Sequence, residues 1–162
     1  MELMHVGELN GGKLLEPIVE KNGFRPLGKP NGKHILWCSP LNSVYGWIDW
    51  CKEEMPSWAE GKLIWKIVLN GSQKLYKINN YEDLADLAGK FPFAQDDTVV
   101  REFIFWQDVA REYDGIWLTP EGAEFTRFSL PLTLYGWDCE TVVLFKCREI
   151  IARVESFVGK TR

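Results

Sequence analysis

The sequence predicts an α+β domain built around a mixed or antiparallel central sheet with flanking helices. Apolar, β-branched runs typical of strands alternate along the chain with segments whose apolar residues recur at helical spacing. Neighbouring strand-like runs form hairpin-like pairs, and no ordered β-α-β series is visible. With 162 residues, 46% of them apolar, the chain can bury a continuous core, and we expect a single domain over residues 1–162.

The predicted elements follow from these patterns, taken in chain order. Strands are expected over Glu2–Val6, 34–38, 63–69, 74–78, 116–118, 125–128 and 142–145. Helices are expected over 44–54, 81–88, 99–113 and 148–157. Irregular structure is expected over 8–32, which is rich in glycine and proline, over 90–98 and at the turn 119–122. The runs 63–69 and 74–78 are predicted to form a hairpin or a bent continuation, because Asn70 and Gly71 stand between them.

The charge balance makes nucleic acid a disfavoured partner. The formal net charge is −4 and the isoelectric point is near 5.3, which argues against broad attraction to a phosphate backbone. No metal is expected, because the histidines and cysteines lack zinc-ligand spacing. No secretory pattern opens the chain and no apolar run approaches the ~20 residues that span a bilayer, so we expect a soluble, cytoplasmic protein without membrane contact.

The chain lacks the motifs of nucleotide-binding oxidoreductases, P-loop hydrolases, serine hydrolases and zinc proteases. Polar and aromatic residues instead stand beside the predicted strands: His5 and Gly7 at the first, Ser39, Ser43 and Tyr45 after the second, and Asp138 and Glu140 at the last. Residues two apart in an extended chain point to the same side, so the carboxylates of Asp138 and Glu140 are expected to face one cleft.

These features resemble the ADP-ribosyltransferase superfamily. The resemblance is carried by His5 in the first strand, Tyr45 just after Ser43, the sequence Tyr-Asp-Gly-Ile-Trp at 113–117, and Glu140 before the Thr-Val-Val-Leu-Phe run. The similarity is closest to the His-Tyr-Glu branch and to small phage-encoded members, including anti-CRISPR transferases. It extends over nearly the whole chain and implies a split, two-sheet arrangement.

The resemblance implies an enzyme that uses NAD as a substrate, needs no metal, and transfers ADP-ribose to a macromolecular acceptor, here a host protein. Such an activity would serve a phage as an anti-defence or host-takeover factor. Glu140 would stabilise the oxocarbenium-like charge that develops as nicotinamide leaves, and would hold the ribose 2′-hydroxyl. Asp138 resembles the first position of the Q/E-x-E motif, where a side chain orients the acceptor, although aspartate is shorter.

The resemblance also assigns the cofactor-binding residues. Tyr45 would stack on the nicotinamide ring, and His5 would hydrogen-bond a ribose or the diphosphate. The backbone of Gly7 would be approachable because no Cβ blocks it. Ser39 or Ser43 would orient the strand and the ring.

Each of these residues also has an ordinary structural interpretation. His5 could be a solvent-facing or core histidine, and Tyr45 could be a core side chain on a helix. Glu140 could be a charge that protects an edge strand, and Asp138 could cap the turn before it. Arg127 could meet a phosphate or a substrate carboxylate, but a surface ion pair is the favoured interpretation.

Two other functions remain open from the sequence. One is a catalytically inactive domain of the same fold that binds a protein partner or a nucleotide. The other is a surface-mimicking inhibitor that uses acidic and aromatic patches and no cofactor. The enzyme hypothesis requires His5, Tyr45 and Glu140 to converge on one cleft, with His5 and Glu140 on the same face of the sheet.

Overall fold

The computed structural model describes residues 1–7, 19–21, 27–28, 35–95, 98–145 and 153–156. Its strands are β1 (Glu2–Val6), β2 (Val19–Lys21), β3 (Leu27–Gly28), β4 (Leu36–Pro40), β5 (Leu63–Val68), β6 (Leu75–Ile78), β7 (Pro92–Gln95), β8 (Thr98–Ile104), β9 (Gly115–Leu118), β10 (Thr141–Leu144) and β11 (Arg153–Ser156). Its helices are α1 (Trp47–Glu53), α2 (Pro56–Ala59), α3 (Tyr81–Lys90), α4 (Trp106–Glu112) and α5 (Pro120–Thr126). The predicted α+β class is confirmed.

A mixed sheet of seven described strands forms the centre of the fold, in the order β11-β5-β1-β4-β10-β9-β6. Neighbouring strands are antiparallel, except that β6 runs parallel to β9 at the edge. The strand β10 lies between β4 and β9, and all four of its residues are buried, as its β-branched and apolar composition predicts. The loop before β10 is therefore anchored to the middle of the sheet.

The ladder between β1 and β4 is the shortest in the seven-stranded sheet. It comprises Leu3 opposite Pro40 and Met4 opposite Ser39, whereas β1 pairs with β5 along its whole length. All seven strands nevertheless belong to one sheet, whereas the resemblance implies a split, two-sheet arrangement.

Both faces of the sheet are buried, because apolar residues occupy alternate positions on each side of the strands. On one face, Ile116 and Val143 pack with apolar residues of α3 and α4. On the opposite face, Leu3, Cys38 and Val142 belong to a second cluster that also includes residues of β5. Successive side chains of β10 therefore point to opposite faces of the sheet, as Val142 and Val143 do.

Several predicted elements are wrong where tertiary pairing outweighs local pattern. The segment predicted as a helix over 99–113 is the strand β8 followed by α4, and the predicted loop over 90–98 contains β7, which pairs with β8. The predicted helix over 148–157 is wrong at Arg153–Ser156, which forms β11 and extends the sheet beside β5. The rest of that predicted helix, like most of the predicted irregular region 8–32, lies outside the described residues.

Two further predictions fail because of local capping and strand order. The predicted turn and strand over 119–128 contain the helix α5, whose first turn is closed by the Thr119 side chain accepting from Gly122 N, with Pro120 at the first helical position. The run 74–78 does form a strand, β6, but it does not pair with β5. It lies at the far edge of the sheet beside β9, so the predicted hairpin is wrong.

Candidate functional site

Glu140 lies immediately before β10, and its carboxylate is held by the side chain of Trp117. The indole Nε1 of Trp117 donates to Oε1 of Glu140 at 2.9 Å, and Glu140 is only 8% exposed. The other oxygen, Oε2, has no hydrogen-bond partner in the part of the chain that the structure describes. The carboxylate therefore has one anchored oxygen and one that a ligand hydroxyl can reach.

Ser39 fixes the backbone around Glu140. Its buried hydroxyl donates to the carbonyl oxygen of Glu140 at 2.7 Å and accepts from the backbone N–H of Trp47 at 2.6 Å. The strand β4, the start of β10 and the first turn of α1 meet at this hydroxyl. Gly46 permits the approach, because a Cβ at residue 46 would lie 3.0 Å from the Cβ of Ser39.

Tyr45 lies in the loop before α1, and the prediction that placed it in the first turn of that helix is wrong. The helix begins at Trp47, because Gly46 has an extended backbone and its N–H donates to the side chain of Asp49. Burial, followed by a hydrogen bond to the Glu53 carboxylate, raises the pKa of Tyr45 to about 12. The phenol is therefore neutral at pH 7 and can offer a proton or an aromatic face.

Two adjoining cavities share Tyr45, Arg127 and Asp138 as lining residues. The larger, of about 290 Å³, also reaches Trp137, Cys139, Glu140 and residues of α5. The smaller, of about 250 Å³, also reaches Trp50 and Glu54 of the α1 segment. Tyr45, Asp138 and Glu140, which the sequence predicted separately, thus line one cavity at the end of the sheet.

Asp138 and Arg127 form an ion pair at the boundary between the two cavities. The Nη2 of Arg127 donates to Oδ1 of Asp138 at 2.9 Å, and both side chains are partly exposed. The ion-pair interpretation of Arg127 is therefore confirmed. The Nε of Arg127 is buried and has no partner among the described residues. The two carboxylates thus differ, since that of Asp138 is neutralised by a cation and that of Glu140 is held by a neutral donor.

His5 follows Met4, the last residue of β1 in the ladder to β4, and it is not among the residues that line the cavities with Tyr45. Its Nδ1 lies 2.7 Å from the carbonyl oxygen of Trp37, and because a carbonyl only accepts, Nδ1 carries the proton. Gly7 follows with a φ of 144°, and a Cβ there would lie 3.0 Å from Nε2 of His5. The carbonyl of Gly7 accepts from the indole of Trp65 at 2.8 Å.

His5 and Glu140 lie on the same face of the sheet. His5 is opposite Trp65 in the β1–β5 ladder, and Trp65 packs in the same cluster as Cys38 and Trp117. Trp117 in turn donates to Glu140. Two strand spacings sideways and a two-residue offset along the strands place the two residues roughly 12 Å apart. The residues between them on this face, Cys38 and Val142, are buried. His5 therefore does not converge with Tyr45 and Glu140 on one described cavity, as the enzyme hypothesis requires.

Ser43 contributes less to the candidate site than the sequence suggested. Cys139 and Trp117, which were not predicted as site residues, contribute more. The hydroxyl of Ser43 is buried and has no hydrogen-bond partner in the described part of the chain. Cys139 lines the larger cavity, and burial raises the pKa of its thiol to about 11. Trp117, the last residue of the 113–117 sequence, holds the carboxylate, a role that its sequence context does not reveal.

The described residues hold no group of three or more histidine, cysteine, aspartate or glutamate side chains arranged for a metal ion. Within the same residues, no helix combines the length and the apolar character that crossing a membrane requires. Comparison of the chain with protein-family models, with curated proteins and with solved structures finds no match in any of the three.

Proposed function

We propose that the protein is an ADP-ribosyltransferase that takes ADP-ribose from NAD and transfers it to a macromolecular acceptor. The observation that carries this proposal is the carboxylate of Glu140. It is nearly buried, it lies before the central strand β10, and it is anchored through one oxygen while the other has no described partner. A preorganised negative charge of this kind in a shaped cavity is what an oxocarbenium-like transition state needs.

In the proposed reaction, the bond between the ribose C1′ and the nicotinamide nitrogen breaks, and its electron pair goes to the departing nicotinamide. Positive charge develops on C1′ and the ring oxygen, and the Glu140 carboxylate stabilises it while Oε2 accepts a hydrogen bond from the 2′-hydroxyl. A nucleophile of the acceptor then forms the new bond to C1′ and loses its proton. No metal takes part in this scheme.

The proposal places the nicotinamide ribose in the cavity at Glu140. His5 lies roughly 12 Å from Glu140, beyond the buried Cys38 and Val142, and does not contact the same ribose. Tyr45 lines the Glu140 cavity, and its neutral ring offers a face for nicotinamide.

Asp138 and Arg127 form the part of the site that faces the acceptor. Their ion pair lies between the two cavities, so an acceptor that enters from the smaller cavity meets Asp138 before it reaches Glu140. The resemblance to small phage-encoded transferases favours a host protein as the acceptor, which would place the activity in the cytoplasm of the host cell. Nucleic acid remains disfavoured by the net charge of −4.

The test is labelling of a cell lysate with NAD that carries a radioactive adenylate. The wild-type protein should mark at least one acceptor and release nicotinamide. Glu140→Gln should lower both by about 10³-fold or more, because it removes the charge that the transition state requires. Glu82→Gln, at an exposed position on α3, is the matched control and should behave as wild type. Full activity in Glu140→Gln would contradict the proposal.

A second candidate is a catalytically inactive domain of the same fold that binds a protein partner. Phe125, Phe128, Leu130 and Tyr135, all more than half exposed, lie on and after α5 beside the Arg127 rim of the cavity, and this apolar surface favours the binder. A binder would show no nicotinamide release from NAD, and the same partner would co-purify with wild type and Glu140→Gln. Replacing Phe128 and Tyr135 by serine would abolish the co-purification.

A further inference from the structure

We infer that Trp117 is a positioning residue, which aims the Glu140 carboxylate at the substrate, and that the ammonium group of Lys77 strengthens its hold. This inference rests on the proposed function. It assigns a role to an indole on β9 and a lysine on β6, neither of which lines the described cavities with Tyr45.

The hydrogen bond from Trp117 engages one of the two oxygens of the Glu140 carboxylate. The Nε1 of Trp117 donates to Oε1 of Glu140 at 2.9 Å, and an indole N–H can only donate. The bond therefore engages Oε1 and leaves Oε2 without a described partner. A hydrogen bond to a carboxylate is stronger than one between neutral groups, so the contact holds the orientation of the Glu140 side chain.

The Trp117 ring has a fixed position in the sheet. Trp117 lies opposite Val142 in the β9–β10 ladder and packs against the cluster that contains Val142 and Leu75. The register thus sets the distance from the ring to the residue that precedes β10. A donor on a rigid central strand holds a side chain more reproducibly than a donor on a loop.

The ammonium group of Lys77 lies over the Trp117 ring. The Nζ of Lys77 lies 4.6 Å from the centroid of the Trp117 ring, and Lys77 is opposite Trp117 in the parallel β6–β9 ladder. A cation over the face of an indole withdraws electron density from it and makes its N–H a stronger donor. Lys77 is exposed, so it can act on Glu140 through the ring without being buried itself.

The inference predicts a particular kinetic pattern in Trp117→Phe, which keeps an aromatic ring and removes the N–H. We expect kcat for nicotinamide release to fall about 10- to 100-fold, the loss typical of a hydrogen bond to a charged group. The KM for NAD should change less than about twofold, because the bond orients a reacting group and does not hold the dinucleotide. Trp58→Phe on the exposed surface of α2 is the matched control and should leave both constants unchanged.

The Lys77 variants keep the test valid if Trp117→Phe folds poorly, because residue 77 is exposed. Lys77→Met should lower kcat about two- to threefold with KM and Tm unchanged, and Lys77→Arg, which keeps the cation, should restore wild-type kcat. A purely structural role for the ring would not produce this difference between methionine and arginine.

The outcomes separate the inference from the proposed function. A wild-type protein that releases no nicotinamide overturns both. If wild type is active and Glu140→Gln is inactive, but Trp117→Phe keeps full kcat, the proposed function stands and the positioning role is overturned. A parallel rise in KM and fall in Tm in Trp117→Phe, with equal kcat in Lys77→Met and Lys77→Arg, also overturns it.

Discussion

Two regions of the molecule hold a polar side chain beside the sheet, and they do so by different means. At the start of β10, the backbone of Glu140 is tied to Ser39, and its carboxylate is tied to Trp117. The adjoining strand is laddered on both sides, to β4 and β9. At the end of β1, the ladder to β4 stops at Met4, and the ring of His5 makes the next contact across the gap.

The difference indicates which part of the site is rigid and which can adapt. The backbone of Glu140 is held by the Ser39 hydroxyl and by the two ladders of the adjoining β10, which would survive a change of its own side chain. The backbone of His5 is paired with Trp65 of β5 on one side, but on the β4 side the contact depends on its ring, whose Nδ1 lies at the Trp37 carbonyl. A carboxylate that stabilises transition-state charge benefits from the first arrangement.

The largest loss of stability should come from Gly115→Ala beside β10, and it should exceed the loss from Gly7→Ala at the end of β1. A Cβ at Gly115 would lie 2.4 Å from the backbone oxygen of Val143, so Gly115→Ala must force β9 from β10 and should cost about 3 kcal/mol or more. A Cβ at Gly7 would meet the tip of the His5 ring at 3.0 Å, a group that can rotate. Gly7→Ala should cost about 1–2 kcal/mol, mainly from its positive φ.

Chemical denaturation of the two variants measures both losses. Equal losses, or a greater loss in Gly7→Ala, would contradict the assignment of the β10 region as the more rigid one. The slope of the unfolding free energy with denaturant should match wild type in both variants, since neither substitution alters the surface exposed on unfolding.

The sequence predicts the strands that carry a local apolar pattern and misses the strands that depend on a pairing partner. The strands β1, β5, β9 and β10 were predicted within a residue or two, because their apolar runs are local signals. The strands β8 and β11 were predicted as helices, because only pairing with β7 and β5 makes them strands. Aromatic and β-branched residues fit either pattern when the partner strand is unknown.

The same limit applies to the candidate site. That Glu140 precedes a buried strand was visible in the sequence, and the structure places Tyr45 and Asp138 beside it on one cavity. The hydrogen bond from Trp117 was not predictable, since it depends on the register of β9 against β10. The contact of His5 with Trp37 likewise depends on the place where a ladder stops.

A smaller effect should come from Ser39→Ala. Removing the hydroxyl leaves the Glu140 carbonyl and the Trp47 N–H without their partner, so the unfolding free energy should fall by about 2–3 kcal/mol. Ser43→Ala is the matched control, because the Ser43 hydroxyl has no partner among the described residues and its loss should be nearly neutral. Similar losses in the two variants would mean that the Ser39 hydroxyl does not join β4 to β10.

His5→Phe should have a still smaller effect, about 1–1.5 kcal/mol, because one hydrogen bond to the Trp37 carbonyl is lost at a partly buried position. His5→Asn can place an amide N–H near the position of Nδ1 and should recover part of the loss. Thermal denaturation of both variants checks this. If phenylalanine and asparagine destabilise equally, the ring holds its place by packing and the proposed contrast with Glu140 disappears.

The smallest effect is a dependence of stability on alkaline pH, to which the buried thiols of Cys51 and Cys139 contribute. Burial raises the pKa of Cys139 to about 11 and that of Cys51 to about 12, both from 9.0. Above about pH 9 the unfolded chain loses these protons while the folded chain keeps them, so the unfolding free energy should fall as the pH rises towards 11. Below pH 8 the thiols should contribute no pH dependence.

The double variant Cys51→Ala, Cys139→Ala separates this contribution from that of other groups. Its unfolding free energy should fall less steeply between pH 9 and 11 than that of wild type, whereas His5→Phe should keep the wild-type slope, because it leaves both thiols in place. An unchanged slope in the double variant would mean that the two thiols titrate alike in the folded and unfolded chains. The rigid region would then owe its order to hydrogen bonds at Glu140 and Ser39 and not to the exclusion of water around them.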